Sequence, residues 1–193
     1  MARKRRIWLP DTFYHIISRG NRRDAIFREE VDYNMFLHFL HQVKQKIPFE
    51  LASYCLMTNH FHLQMRSLDQ SISKIMSLLN KRYADYFNNK HGVTGHVFEK
   101  RFFDERILTS LSMLKVSRYI HLNPVKAGMV RDPENYQWSS YRQYYHVSDS
   151  SLLNPNIVLD SFPGNEKEKR KQYHEFLNME DDMIQSEQFS ITR

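Results

Sequence analysis

Short runs rich in β-branched and aromatic residues fall near residues 12–18, 49–57, 60–66 and 96–108, and between them apolar residues recur every three or four positions over 32–46 and 71–90. The first pattern predicts strands, the second helices that bury one face. Phe36, Leu40, Val43 and Ile47 mark that face in the first helix; Ile72, Ile75, Leu79, Tyr83 and Tyr86 mark it in the second. Thr58-Asn59 forms a short turn between two strands, and the earlier of the two, 49–57, is apolar enough to be central in a sheet. The order β-α-β-β-α-β predicts an α+β chain built on a ferredoxin-like split βαβ sandwich. An added helix over 112–122 would bury Met113, Val116, Ser117 and Ile120, and Pro124 is expected to end it at Asn123. After Trp138 strand patterning is lost. Asn154-Pro155 and 162–165 read as turns, 166–179 as a charged surface helix, and the tail from Glu180 as a fraying end. The expected division is a domain over 1–145 and a mostly irregular or helical C-terminal extension over 146–193.

Within His60-Phe61-His62-Leu63-Gln64-Met65 the alternation puts His60, His62 and Gln64 on one face of a strand and the apolar residues on the other. Imidazoles two residues apart on a strand start roughly 6.5 to 7 Å apart at the backbone, near enough to converge on one metal ion. Such pairs are often no more than a polar strand face, so a third ligand and a nucleophile are needed. Tyr119-Ile120-His121-Leu122-Asn123 offers both: Tyr119 and Asn123, four apart, project together from the edge of the added helix, while His121 points nearly the opposite way and is left out.

The segments Tyr54-Cys55-Leu56-Met57-Thr58-Asn59-His60-Phe61-His62-Leu63 and Arg118-Tyr119-Ile120-His121-Leu122-Asn123-Pro124-Val125-Lys126-Ala127-Gly128 closely resemble the two hallmark segments of single-tyrosine HUH transposases. Within that group the chain resembles the REP-associated tyrosine transposases, relatives of the IS200-like transposases. Further agreement comes from Tyr14-His15-Ile16-Ile17-Ser18-Arg19-Gly20-Asn21-Arg22, from Gly95-His96-Val97-Phe98-Glu99-Lys100-Arg101-Phe102 and from Trp138-Ser139-Ser140-Tyr141, so the likeness runs from about Arg6 to Tyr141. Thr58 departs from it, standing where the family usually has proline. The resemblance implies the same fold, a site made of His60, His62, Asn123 and the nucleophile Tyr119, and Mg2+ or Mn2+ as the metal. Ligand types alone would point to manganese or zinc more than to magnesium. It also implies a substrate: an imperfect DNA hairpin with a short single-stranded foot, cleaved and rejoined through a 5′-phosphotyrosine.

Composition agrees without naming a function. The formal net charge of +6, from 28 basic against 22 acidic residues, favours a polyanionic partner. Basic residues beside aromatics or in turns are the expected DNA contacts: Arg19, Asn21 and Arg22 in one turn, Lys81 and Arg82 on the second helix, Lys100 and Arg101 on or beside the last strand. No apolar run is long enough to span a membrane, and the basic opening Arg3-Lys4-Arg5-Arg6 is not followed by the apolar segment of a signal peptide; a cytoplasmic monomer or homodimer is expected. Cys55, the only cysteine, is expected in the core. Two other readings stay open: a replication initiator or relaxase-type nickase, which shares the metal and tyrosine logic, and a non-catalytic hairpin-binding protein.

Overall fold

The strand-forming runs pair into one antiparallel sheet in the computed structural model, which describes residues 7–146 and 151–180. The elements are β1 (Phe13–Arg19), a 3-10 turn (Asn21–Arg23), α1 (Glu30–Lys46), β2 (Glu50–Met57), β3 (His60–Arg66), α2 (Ile72–His91), β4 (Phe103–Ile107), α3 (Ser110–Lys126), a second 3-10 turn (Pro133–Asn135), α4 (Tyr141–Tyr145), α5 (Asn156–Leu159) and α6 (Glu166–Asn178). Sheet order is β2-β3-β1-β4, the predicted α+β arrangement. Phe61, Leu63 and Met65 on β3 are fully buried against α1 and α2, where Phe36 packs on Phe61 at 4.6 Å between ring centroids. Full burial of each such side chain stabilises by about 1.5–3 kcal/mol. A capping box between Glu29 and Asp32 starts α1, and Gly92 at φ 61° ends α2 in the left-handed conformation that an L side chain resists.

Three expectations need correction. β2 is an edge strand, not a central one: its apolar character is explained by cover, since residues 138–140 run along its open side through Leu56 N to Trp138 O (2.9 Å) and Ser140 N to Tyr54 O (3.0 Å). β4 begins at Phe103 rather than near His96: upstream, residues 97–99 meet the end of β1 only through an isolated antiparallel bridge, Asn21 N donating to Val97 O at 2.8 Å and Glu99 N to Arg19 O at 3.0 Å, before the chain turns into β4. α3 runs through Pro124 to Lys126. Proline this close to a helix end removes one N–H bond while its fixed φ remains helical, and the last turn is secured by Ala127 N donating to Asn123 O at 2.9 Å.

The buried stripe of α3 is also wider than expected. Leu114, Ser117, Ile120, His121 and Pro124 are buried, while Met113 and Val116 are half-buried. The helix is a middle layer: one side lies on the sheet, and α6 covers the other with Tyr173, Phe176 and Leu177, so the predicted charged helix has a buried face. The chain's basic opening (1–6) and the tail from 181 lie outside the described residues.

Candidate functional site

Antiparallel register decides what faces α3. His62 pairs with Ile17 and with Cys55, His60 with Arg19 and Met57, and Gln64 with His15. Directly paired residues point to the same side of a sheet, so His60, His62, His15 and Arg19 share the face opposite the α1 and α2 layer. Over it lies α3, tied down where Gln64 Nε2 donates to Met113 O at 3.0 Å. Tyr119 then sits edge-on to two imidazoles, with centroids 5.5 Å from His62 and 5.7 Å from His15. It is 42% exposed, the right state for a phenol that has to meet a substrate from solvent. Asn123, one turn on, donates Nδ2 to Tyr119 O at 3.3 Å, a bond that does not use its amide oxygen. Lys126 Nζ lies 5.8 Å from the Tyr119 ring.

The local electrostatics favour ligands over cations. Burial lowers His15 and His60 to about 4, the charge of Arg19 adding to the effect at His60. His62 is pushed well below the usual imidazole value by burial, then by His15, His60 and Arg19. All three are therefore neutral at physiological pH, as metal ligation requires. His62 Nδ1 lies 2.9 Å from His15 Nε2, and His60 Nδ1 2.7 Å from Asn59 Oδ1. His62 Nε2 is buried without a hydrogen-bond partner among the described residues. A buried orphan nitrogen costs free energy that a ligand would recover. Among the described residues no group of three His, Cys, Asp or Glu side chains forms a ligand set. A metal here would take its donors from the two imidazoles and a neutral amide, and His60, His62 and Asn123 fit that description.

Beside this face the chain opens a cavity of about 600 Å3 lined by Arg19, Asn21, Arg22, Arg23, Lys100 and Arg101, with Glu99 and Phe103 on its wall. The structure thus gathers five of the seven polar residues expected to contact DNA. Lys81 and Arg82 are not among them: they lie on α2, beyond the sheet, where Lys81 pairs with Asp85 at 2.9 Å and Arg82 donates to Gln42 Oε1 at 3.0 Å. Gly20 opens the basic turn, and a Cβ there would stand 2.2 Å from Asp24 O. Sequence reasoning missed His15 and Asn59. His15 carried a signal in its strand alternation, but the register that brings it to His62 joins residues 47 apart. Cys55 is buried, as expected.

The family model described as "Transposase IS200 like" matches residues 9–123. A REP-associated tyrosine transposase of Escherichia coli (strain K12) is 23% identical over 146 residues, covering 74% of this chain and 84% of the relative. A 54.7 kDa protein of the Autographa californica nuclear polyhedrosis virus is 27% identical over 161 residues, and there the chain spans 35% of the relative. A solved REP-associated tyrosine transposase bound to a REP hairpin superposes with a TM-score of 0.64 at 21% identity, covering 80% of this chain and 98% of the other, a likeness of fold. Among the described residues no helix is long and apolar enough to cross a membrane.

Proposed function

Because this chain belongs to the IS200-like transposase family, we propose that it cleaves and rejoins single-stranded DNA at hairpin-forming palindromes, with Tyr119 as nucleophile. The observation that carries the reading is the Tyr119 ring set against His62 and His15 over the face that holds His60. The DNA hairpin comes from the relative solved with a REP hairpin, and the basic cavity beside the histidines suits the single-stranded foot. Residues 1–145 carry the chemistry, and 146–193 form an extension whose described part braces α3.

His60, His62 and Asn123 would hold Mg2+ or Mn2+, which supplies Lewis acidity at the scissile phosphate. Support for Asn123 comes from its place one helical turn after Tyr119, whose ring lies against His62. The Tyr119 oxygen attacks phosphorus in line and loses its proton to solvent. The P–O3′ bond breaks, the departing oxygen takes up a proton as a 3′-hydroxyl, and the 5′ side stays on Tyr119 as a phosphodiester. One phosphodiester has replaced another, so attack by a different 3′-hydroxyl reverses the step and joins strands. Arg19, Asn21, Arg22, Lys100 and Arg101 hold the flanking backbone.

Tyr119→Phe removes one oxygen and little packing surface. Incubated with a hairpin oligonucleotide carrying a single-stranded foot and Mn2+, the wild-type chain is expected to yield a covalent adduct located at Tyr119 by mass spectrometry of the digest; Tyr119→Phe should give neither adduct nor cleavage while binding the hairpin as before. An adduct on another tyrosine would overturn the assignment. Cleavage without any adduct would indicate a nuclease that uses water, and binding with neither would leave a hairpin-binding protein.

A further inference from the structure

Asn59, in the turn between β2 and β3, makes two side-chain hydrogen bonds whose directions are not free. Its Nδ2 lies 3.1 Å from the carbonyl oxygen of Arg23, and its Oδ1 lies 2.7 Å from His60 Nδ1. A carbonyl accepts and cannot donate, so the amide NH2 must face Arg23 and the amide oxygen must face His60. The amide oxygen likewise only accepts, so the proton of the neutral His60 ring belongs on Nδ1. The lone pair is then on Nε2. The carbonyl of Arg23 therefore sets the tautomer of His60 through one intervening amide.

We infer that Asn59 is a positioning residue, which locks His60 as the Nδ1–H tautomer with Nε2 free for a divalent metal and ties that ring to the arginine turn beside the site. The inference rests on the reading of His60 as a ligand and goes beyond it. Ligating histidines are commonly fixed by an acceptor on the second ring nitrogen, and loss of such an acceptor typically costs ten- to a hundredfold in metal affinity. What is particular to this chain is where the acceptor is anchored. Asn59 O also accepts from Gly20 N at 2.8 Å, and Thr58 O accepts from Ile26 N and Phe27 N at 3.0 Å each, so the turn and the arginine segment are stitched together by backbone as well. Arg22 and Arg23 hold φ of 53° and 64°, a conformation bulky residues avoid unless their surroundings enforce it. Asn59 Nδ2 is one of the groups enforcing it.

The test uses the full chain without DNA. Nitrogen-15 NMR of the metal-free wild type is expected to report His60 as the Nδ1–H tautomer; a predominant Nε2–H form would overturn the inference without any variant. Mn2+ binding, followed by the EPR signal of the free ion, should weaken ten- to a hundredfold in Asn59→Ala. Asn59→Asp still accepts from His60 and should bind Mn2+ at least as tightly as the wild type, although it no longer donates to Arg23. If Asn59→Ala matches the wild type, or Asn59→Asp is as weak as Asn59→Ala, Asn59 does not act through His60. His60→Ala separates the two readings: unchanged Mn2+ binding in that variant removes His60 as a ligand and leaves the tautomer result standing by itself.

Discussion

Arg22 shows how much one residue's backbone can say about use. A non-glycine residue in the left-handed region costs of the order of 1–2 kcal/mol, and here two in succession adopt it, on the wall of the basic cavity. Strain kept at such a place is a reason to look for function there. Arg22→Gly relieves the strain and removes the guanidinium together. Its urea midpoint is expected to hold or rise, by up to about 1 kcal/mol in stability, while hairpin affinity falls severalfold and the slope of log affinity against log salt decreases by about one. Lys81→Ala, on the far layer and already paired with Asp85, should change neither. Fluorescence anisotropy over a salt series checks both; an equal loss in Lys81→Ala would move the interface away from this cavity. Composition could not separate the two residues, because a basic side chain near an aromatic reads alike on either side of a sheet.

Among the elements, local periodicity carried the reading as far as local forces reach. The period of two put His60 and His62 on one face, and the helical period put Tyr119 one turn before Asn123, because each relation lies within one element. His121 escaped for the opposite reason. Its surroundings come from α6 and residues 138–140, and nothing near it in sequence announces them. Ser140 Oγ lies 3.2 Å from the carbonyl of Tyr54, which obliges the hydroxyl to donate there; it then accepts from His121 Nε2–H at 2.8 Å. His121 Nδ1 is left as the acceptor for the Tyr173 hydroxyl at 2.6 Å, and the Tyr173 oxygen accepts from Ser117 Oγ at 2.8 Å. Together with Arg118 Nε donating to Phe176 O at 3.2 Å and Leu177 O at 3.1 Å, this network fastens α3 to α6. Tyr173→Phe leaves a buried imidazole nitrogen unpaired and is expected to cost about 1–3 kcal/mol. A lowered urea midpoint checks it. Since α3 carries Tyr119, adduct formation should slow while hairpin binding, which rests on the basic cavity rather than on α3, holds. An unchanged midpoint would mean that the network contributes nothing net.

For the molecule as a whole, burial of neutral histidines ties stability to pH. Burial lowers His121 to about 3, His15 and His60 to about 4, and His62 well below its usual value. In the unfolded chain each takes up a proton near pH 6.5, whereas in the folded chain it does so only near or below 4. Between those values the unfolded state binds more protons, so stability is complete above about pH 6.5 and declines as the pH falls through that window. Each group contributes a slope of about 1.4 kcal/mol per pH unit there. At more acid pH Asp32 adds a loss of the same sign. Burial alone would raise its carboxyl, but hydrogen bonds from Lys90, Arg28 N, Tyr86 and Glu29 N outweigh that and hold it at about 2. Urea unfolding in EDTA at a series of pH values from 7.5 to about 4.5 is expected to show the decline. In His121→Gln the slope should be shallower by about one proton, or 1.4 kcal/mol per pH unit, because that group no longer titrates on unfolding. A wild-type chain equally stable at both ends of the series would mean that these imidazoles are not held neutral by burial. A divalent metal should raise stability by the same amount across this range and leave the slope unchanged, since the site histidines are already neutral in the folded chain there and ligation displaces no proton.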